Sequence, residues 1–181
     1  MRIRFFLSLL MMLFFVSGCS IKNSPLSLLR YDTTISTTEV NEAFAKVFPL
    51  QRKSSFGAIA LKRALLRPSV ETDKVMLSVA FGLTSFEIPE GIEGVLTMSA
   101  GLRYEPETKK IYLTEVTPGG VRFSNTSLAE YVSKGARSAL NVIAMRELSN
   151  VEIYQLKKSF SARFIKNITV EKGKIVIQYG L

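Results

Sequence analysis

The chain contains one cysteine, Cys19, and no histidine among its 181 residues, and that pair of facts limits what its side chains can do. Without histidine there is no Ser-His-Asp relay, no usual zinc ligand and no common general base near neutral pH. A serine–lysine dyad is compatible with the composition, but no spacing in the sequence points to one. Glu87, Glu90 and Glu93 crowd into Glu-Ile-Pro-Glu-Gly-Ile-Glu-Gly, where a weak calcium site or an acid/base pair is conceivable. Pro89, Gly91 and Gly94 already explain a solvated loop there, so the expectation is no metal site and no catalytic residue. Thr117-Pro-Gly-Gly120 reads as a turn and not a phosphate loop. No cofactor is expected.

The chemistry therefore concentrates on Cys19 and on what precedes it. Arg2 and Arg4 give a positive start, Phe5 to Val16 an unbroken apolar run, and Val16-Ser17-Gly18-Cys19 a small-residue close. This resembles a bacterial lipoprotein signal with its lipobox. The resemblance implies that the Cys19 thiol receives a diacylglycerol, that the peptide is cut just before it, and that the new amino terminus is acylated with a palmitate-type chain. Ser20, where aspartate would signal retention, resembles the outer-membrane class, and so implies a lipid anchor in the outer membrane with the domain facing the periplasm. The apolar run is about 12 residues, roughly 18 Å of helix against a hydrocarbon core of about 30 Å, too short to span. A secretory signal with an incidental cysteine is the other reading. One acyl chain holds a protein marginally, whereas two or more hold it stably. With its thiol so consumed, thiol catalysis, iron–sulfur ligation and disulfides are excluded.

The division that follows is a signal peptide over 1–18, a lipidated tether over 19–30 and a single domain over 31–181. A hydrophobic content of 47% is consistent with a folded domain. The formal charge of +9 becomes +7 when Arg2 and Arg4 leave with the signal. Export puts nucleic acid out of reach, which leaves an anionic membrane surface, or a solvated basic surface without a specific partner.

The elements that would hold such a domain can be read from periodicity. Tyr31 to Ile35 suits a short strand. Ser36-Thr-Thr-Glu39 reads as a capping box, followed by Val40, Ala43, Phe44, Val47 and Phe48 at helical spacing up to Pro49. Ser54 to Val70 suits one or two strands. Val75, Leu77, Val79, Phe81 and Leu83 alternate with small or polar residues, and Val95 to Tyr104 alternates again. Ile111 to Val116 and Val121 to Phe123 extend an antiparallel meander. Ser127-Leu-Ala-Glu130 reads as a second capping box, opening one helix of about 20 residues. Val151 to Leu156 looks extended. Lys157 to Lys166 could form a short basic helix with Phe160 and Phe164 one turn apart, resting either on a headgroup layer or on the domain itself. Ile168 to Val170 and Ile175 to Tyr179 look like a closing hairpin.

The lipobox, Tyr31 to Phe44 with its Thr-Thr-Glu-Val-Asn-Glu-Ala-Phe, the hairpin Lys110 to Val116 and the ending Ile168 to Ile177 together resemble the YceB-like family of bacterial lipoproteins, whose function is unknown. That resemblance implies an α+β fold: a curved antiparallel β-sheet wrapping one long α-helix, with a short N-terminal helix, like half of a tubular lipid-binding domain. It also implies a hydrophobic groove, here lined by Leu77, Val79, Phe81 and Leu83 from the sheet and by Leu128, Tyr131, Val132, Ala136, Leu140 and Ile143 from the helix. An acyl chain, a phospholipid or another slender apolar ligand would lie in it. Periodicity alone favours a closed core for the same faces, and then the tethered domain would serve another envelope protein as an interaction or assembly accessory.

Overall fold

Alternation along Val75 to Leu83 buries every second side chain, and the strand built on it lies at the centre of the domain. The computed structural model describes residues 31–55, 57–156 and 164–180. Cys19, Ser20, the signal and the tether lie outside the described residues, as does most of the basic segment around Phe160. The chain divides into 1–30 and 31–181, and the description concerns the second unit.

The elements in order are β1 (Tyr31–Ile35), α1 (Thr37–Ala45), β2 (Leu50–Ser54), β3 (Gly57–Pro68), β4 (Val75–Thr84), β5 (Ile92–Glu105), β6 (Lys110–Phe123), α2 (Thr126–Ala129), α3 (Lys134–Leu148), β7 (Glu152–Gln155), β8 (Ile165–Glu171) and β9 (Lys174–Tyr179). Strands β2 to β7 form a six-stranded antiparallel meander in sequence order, and β1, β9 and β8 form a second sheet of three. Register shifts interrupt the ladders at Leu61/Arg63, Thr97/Met98, Ser99/Gly101 and Ile111/Tyr112. Each extra residue bends its strand and increases local twist, so the large sheet curls. The β8–β9 turn has both central residues, Lys172 and Gly173, at positive φ, the backbone that matches the natural twist of a two-residue hairpin.

One face of the large sheet carries Ile59, Leu61, Ala64 and Leu66 from β3, Val75 to Leu83 from β4, Leu96, Met98 and Ala100 from β5 and Ile111 and Leu113 from β6. These share a continuous hydrophobic core with Val40 and Phe44 of α1, Ala136, Leu140 and Ala144 of α3, and Ile168, Val170, Ile175 and Ile177 of the small sheet. Gly94 serves a close approach: a Cβ there would lie 2.7 Å from Phe81 Cζ and 2.5 Å from the Arg122 carbonyl oxygen. Helix α1 is pinned to β3 by Asn41, whose side chain accepts from the Leu66 N–H at 2.7 Å and donates to the Leu66 carbonyl at 3.0 Å.

Two expectations are corrected. The α+β arrangement of a sheet around one long helix is not what the chain adopts: strands dominate, and the helices among the described residues have 9, 4 and 15 residues. The pattern from Ser127 to Glu147 is two helices because the chain leaves the helix between Glu130 and Ser133. Asn125, not Ser127, caps the first, accepting from the N–H groups of Ser127 and Leu128. Ser133 starts the second in an extended conformation and accepts from the Ala136 N–H at 3.2 Å. Arg137 then satisfies the broken turn, donating to the carbonyls of Ala129 at 2.5 Å and Val132 at 3.2 Å while its guanidinium stands 4.8 Å from the Phe123 ring centroid. Carbonyls left open at a helix end need donors, and this side chain supplies two. The other correction concerns Thr117-Pro-Gly-Gly120, which is an irregular stretch inside β6 and not a turn. Pro118 is tolerated because β7 pairs only with Lys110 to Tyr112, leaving this part of β6 at the sheet edge.

Candidate functional surfaces

Of the ten residues expected to line a groove, eight are buried in the core, Leu128 packs against it and Tyr131 is exposed. Leu77, Val79, Phe81 and Leu83 on β4, Val132 before α3, and Ala136, Leu140 and Ile143 on α3 are buried, none more than 7% exposed. All eight belong to the continuous core. A side chain closed to a water-sized sphere has no neighbouring void wide enough for a methylene chain. Leu128 is half-buried, and Tyr131, in the break between α2 and α3, is 67% exposed.

Two surface clefts bear on these residues. One, of about 520 Å³, lies across the ends of β2 to β5 and is lined by Arg52, Lys53, Lys62, Gly82, Glu90 and Glu93, among others. Lys62 extends over Gly82, where a Cβ would stand 3.2 Å from Lys62 Cε, and makes a short ion pair with Glu93. That hydrogen bond, and then the Lys62 charge, hold the Glu93 carboxyl below its ordinary value. Arg52 pairs with Glu147 at 2.8 Å. The second cleft, about 420 Å³, is lined by Glu87, Ile88, Pro89, Glu90, Leu128 and Tyr131. Beside it Phe86 is 99% exposed, an aromatic side chain that the sequence reading passed over between two expected loop residues.

The carboxylates singled out in the sequence take separate partners. Glu87 accepts from Ser85 Oγ at 3.2 Å, and Glu93 is engaged by Lys62. Among the described residues no cluster of three acidic, cysteine or histidine side chains could hold a metal ion. The other shifted groups sit in structural pairs. Glu105 is held low chiefly by the Thr108 hydroxyl, Lys110 is raised chiefly by its hydrogen bond to Glu152, and Tyr154 is raised by burial and then by donating to Glu39. Among the described residues no helix is long and apolar enough to cross a membrane.

The outward face of the large sheet has its own composition. The register aligns Arg63, Ala80, Val95 and Arg122 in one row across β3 to β6, then Leu65, Ser78, Thr97 and Gly120, then Arg67, Met76, Ser99 and Thr117. Small and hydroxyl-bearing residues make the middle of this face low, and Ser99 and Thr117 bond to each other at 2.8 Å. Leu65, Met76 and Val95 rise from it and are exposed, as are Arg63, Arg67 and Arg122. The signal for this face was present in the sequence as Arg63, Leu65 and Arg67 alternating with Ala64 and Leu66.

Comparison with known proteins adds no name to this geometry: no family model matches the chain, and no curated protein matches it.

Proposed function

We propose that this chain is a non-enzymatic lipoprotein of the outer membrane, anchored through Cys19, facing the periplasm and related to the YceB-like group, whose domain works through its surface. The observation that supports a surface role over an enclosed ligand is the burial of eight expected groove residues within one continuous core. A lipid tail beside Leu77, Val79, Ala136 or Leu140 would have to displace the atoms that now enclose them, forfeiting contacts that a close-packed interior holds.

Two measurements test the two halves of this reading. Cys19→Ser should leave an uncut precursor without lipid; maturation at the same size with retention in the outer-membrane fraction would overturn the anchor. Mass spectrometry of the purified domain should find no stoichiometric apolar ligand, and a fluorescent fatty acid should not be bound at micromolar concentration. A retained lipid displaced by Ala139→Phe would instead establish the groove.

A further inference from the structure

We propose that the outward face of the large sheet is a docking surface for an anionic bilayer, laid flat against the headgroups by Arg63, Arg67 and Arg122. The inference rests on the anchored, surface-acting reading above and names its partner. Arg63 and Arg67 stand on the same side of β3, four residues and two rows apart, and Arg122 closes the first row on β6. Among the described residues these three arginines make no ion pair, whereas Arg52, Lys62, Arg103, Lys110 and Arg146 do. Their charge is therefore available to a partner. Glu93 and Glu105, which alternate onto this face from β5, are already engaged by Lys62 and Arg103.

Between the arginines, Leu65, Met76 and Val95 are exposed at 45%, 40% and 36%. Cations around short apolar side chains suit a headgroup layer, where the charge meets phosphate and the apolar groups reach the acyl boundary. The low floor of Ser78, Ala80, Thr97 and Gly120 leaves Leu65, Met76, Val95 and the arginines as the groups that meet a broad surface first. Chain length fits as well. The stretch from Cys19 to Tyr31 reaches at most about 40 Å even when fully extended, so a lipid on Cys19 keeps the domain within reach of the bilayer at high effective concentration.

The test uses the full lipidated chain in vesicles. With Cys19 acylated, Ser78→Cys supplies a single reactive thiol in the middle of the face, and Val142→Cys, on the exposed side of α3, supplies a reference. Each carries an environment-sensitive fluorophore. The vesicles contain brominated phosphatidylcholine, alone or mixed with phosphatidylglycerol. Quenching at residue 78 is expected in the anionic vesicles and not in the zwitterionic ones, with residue 142 unquenched in both. An arginine near an anionic surface is worth about a fivefold shift in the docked population, so Arg122→Glu should lower it at least that much and the triple Arg63→Glu, Arg67→Glu, Arg122→Glu roughly a hundredfold. High salt should mimic the triple change. Equal quenching in both vesicle types, or quenching that the charge reversals leave intact, would overturn the proposal. So would shielding of residue 78 by envelope extract in zwitterionic vesicles alone, which would assign the face to an acidic protein. The intact mass of the chain reports the lipid on Cys19 separately, so loss of the anchor is not mistaken for loss of docking.

Discussion

Asn41→Ala is the substitution whose cost can be worked most directly from the structure. Strand β2 pairs with β3 only from Gly57 to Leu61, so farther along β3 the groups facing that side have no strand to meet. At Leu66, which is fully buried, the missing partner is replaced by the Asn41 carboxamide, with bonds of 2.7 Å from the Leu66 N–H and 3.0 Å to its carbonyl. A carboxamide offers the same donor and acceptor as a peptide group, so α1 completes the sheet edge as a short piece of strand would. Removing it forfeits two bonds of about 1 kcal/mol each, and the two stranded backbone groups carry a desolvation cost of about 1–3 kcal/mol. A loss of about 3–5 kcal/mol follows, which with a urea slope of about 2 kcal/mol/M moves the midpoint down by roughly 1.5–2.5 M. Asn41→Asp keeps the acceptor for the Leu66 N–H but loses the donor, so it should fall between wild type and Ala. Urea unfolding of the 31–181 domain measures all three. A midpoint for Asn41→Ala within about 0.5 kcal/mol of wild type would show that water replaces the carboxamide at no cost and that α1 is not held this way.

Other outcomes follow from single contacts. Arg137→Met should destabilise the domain by about 2–4 kcal/mol, since two charge-assisted bonds to the Ala129 and Val132 carbonyls vanish, and thermal unfolding would report it. Gly94→Ala should cost about 1–3 kcal/mol by overpacking against the Phe81 ring, and Phe81→Leu in the same chain should recover part of it; strict additivity in the double mutant would refute the contact. Because Lys62 depresses the folded-state pKa of Glu93, the pair contributes stability above the unfolded carboxylate pKa and loses it as pH falls through the folded value, below the ordinary 4.5. Lys62→Met should raise the Glu93 titration toward that ordinary value, as carboxyl carbon NMR would show.

Periodicity reported the strands faithfully where one face is buried. Val75 to Leu83 and Val95 to Tyr104 occupy β4 and β5, Tyr31 to Ile35 is β1, and the closing hairpin is β8–β9. A period of two survives because burial on one side enforces it. The helix from Ser127 to Glu147 was misjudged for the opposite reason: its apolar spacing is nearly continuous, and the interruption depends on Ser133 and Arg137 acting on backbone groups, which no hydrophobic pattern records. Likewise β2 escaped notice because Gln51, Arg52 and Lys53 are all exposed. The groove expectation named side chains that do share one core, but periodicity is blind to whether two apolar faces meet or stand apart. Asn41 gave no signal at all, since its role exists only because β2 is shorter than β3.

The pairing of β1 with β9 matches Tyr31 to Tyr179 and Ile35 to Ile175, joining the first strand of the domain to the last. Strands β2 to β6 can zip from neighbour to neighbour, each hairpin closing a short loop, whereas β7 joins only after α2 and α3, and the three-stranded sheet waits for a contact that spans almost the whole domain. Synthesis from the amino terminus therefore delivers a chain whose middle is ready to collapse while its first strand is still single. Until residue 179 emerges, β1 has no partner edge on which to lie. The first strand of the domain is thus the last to become fixed.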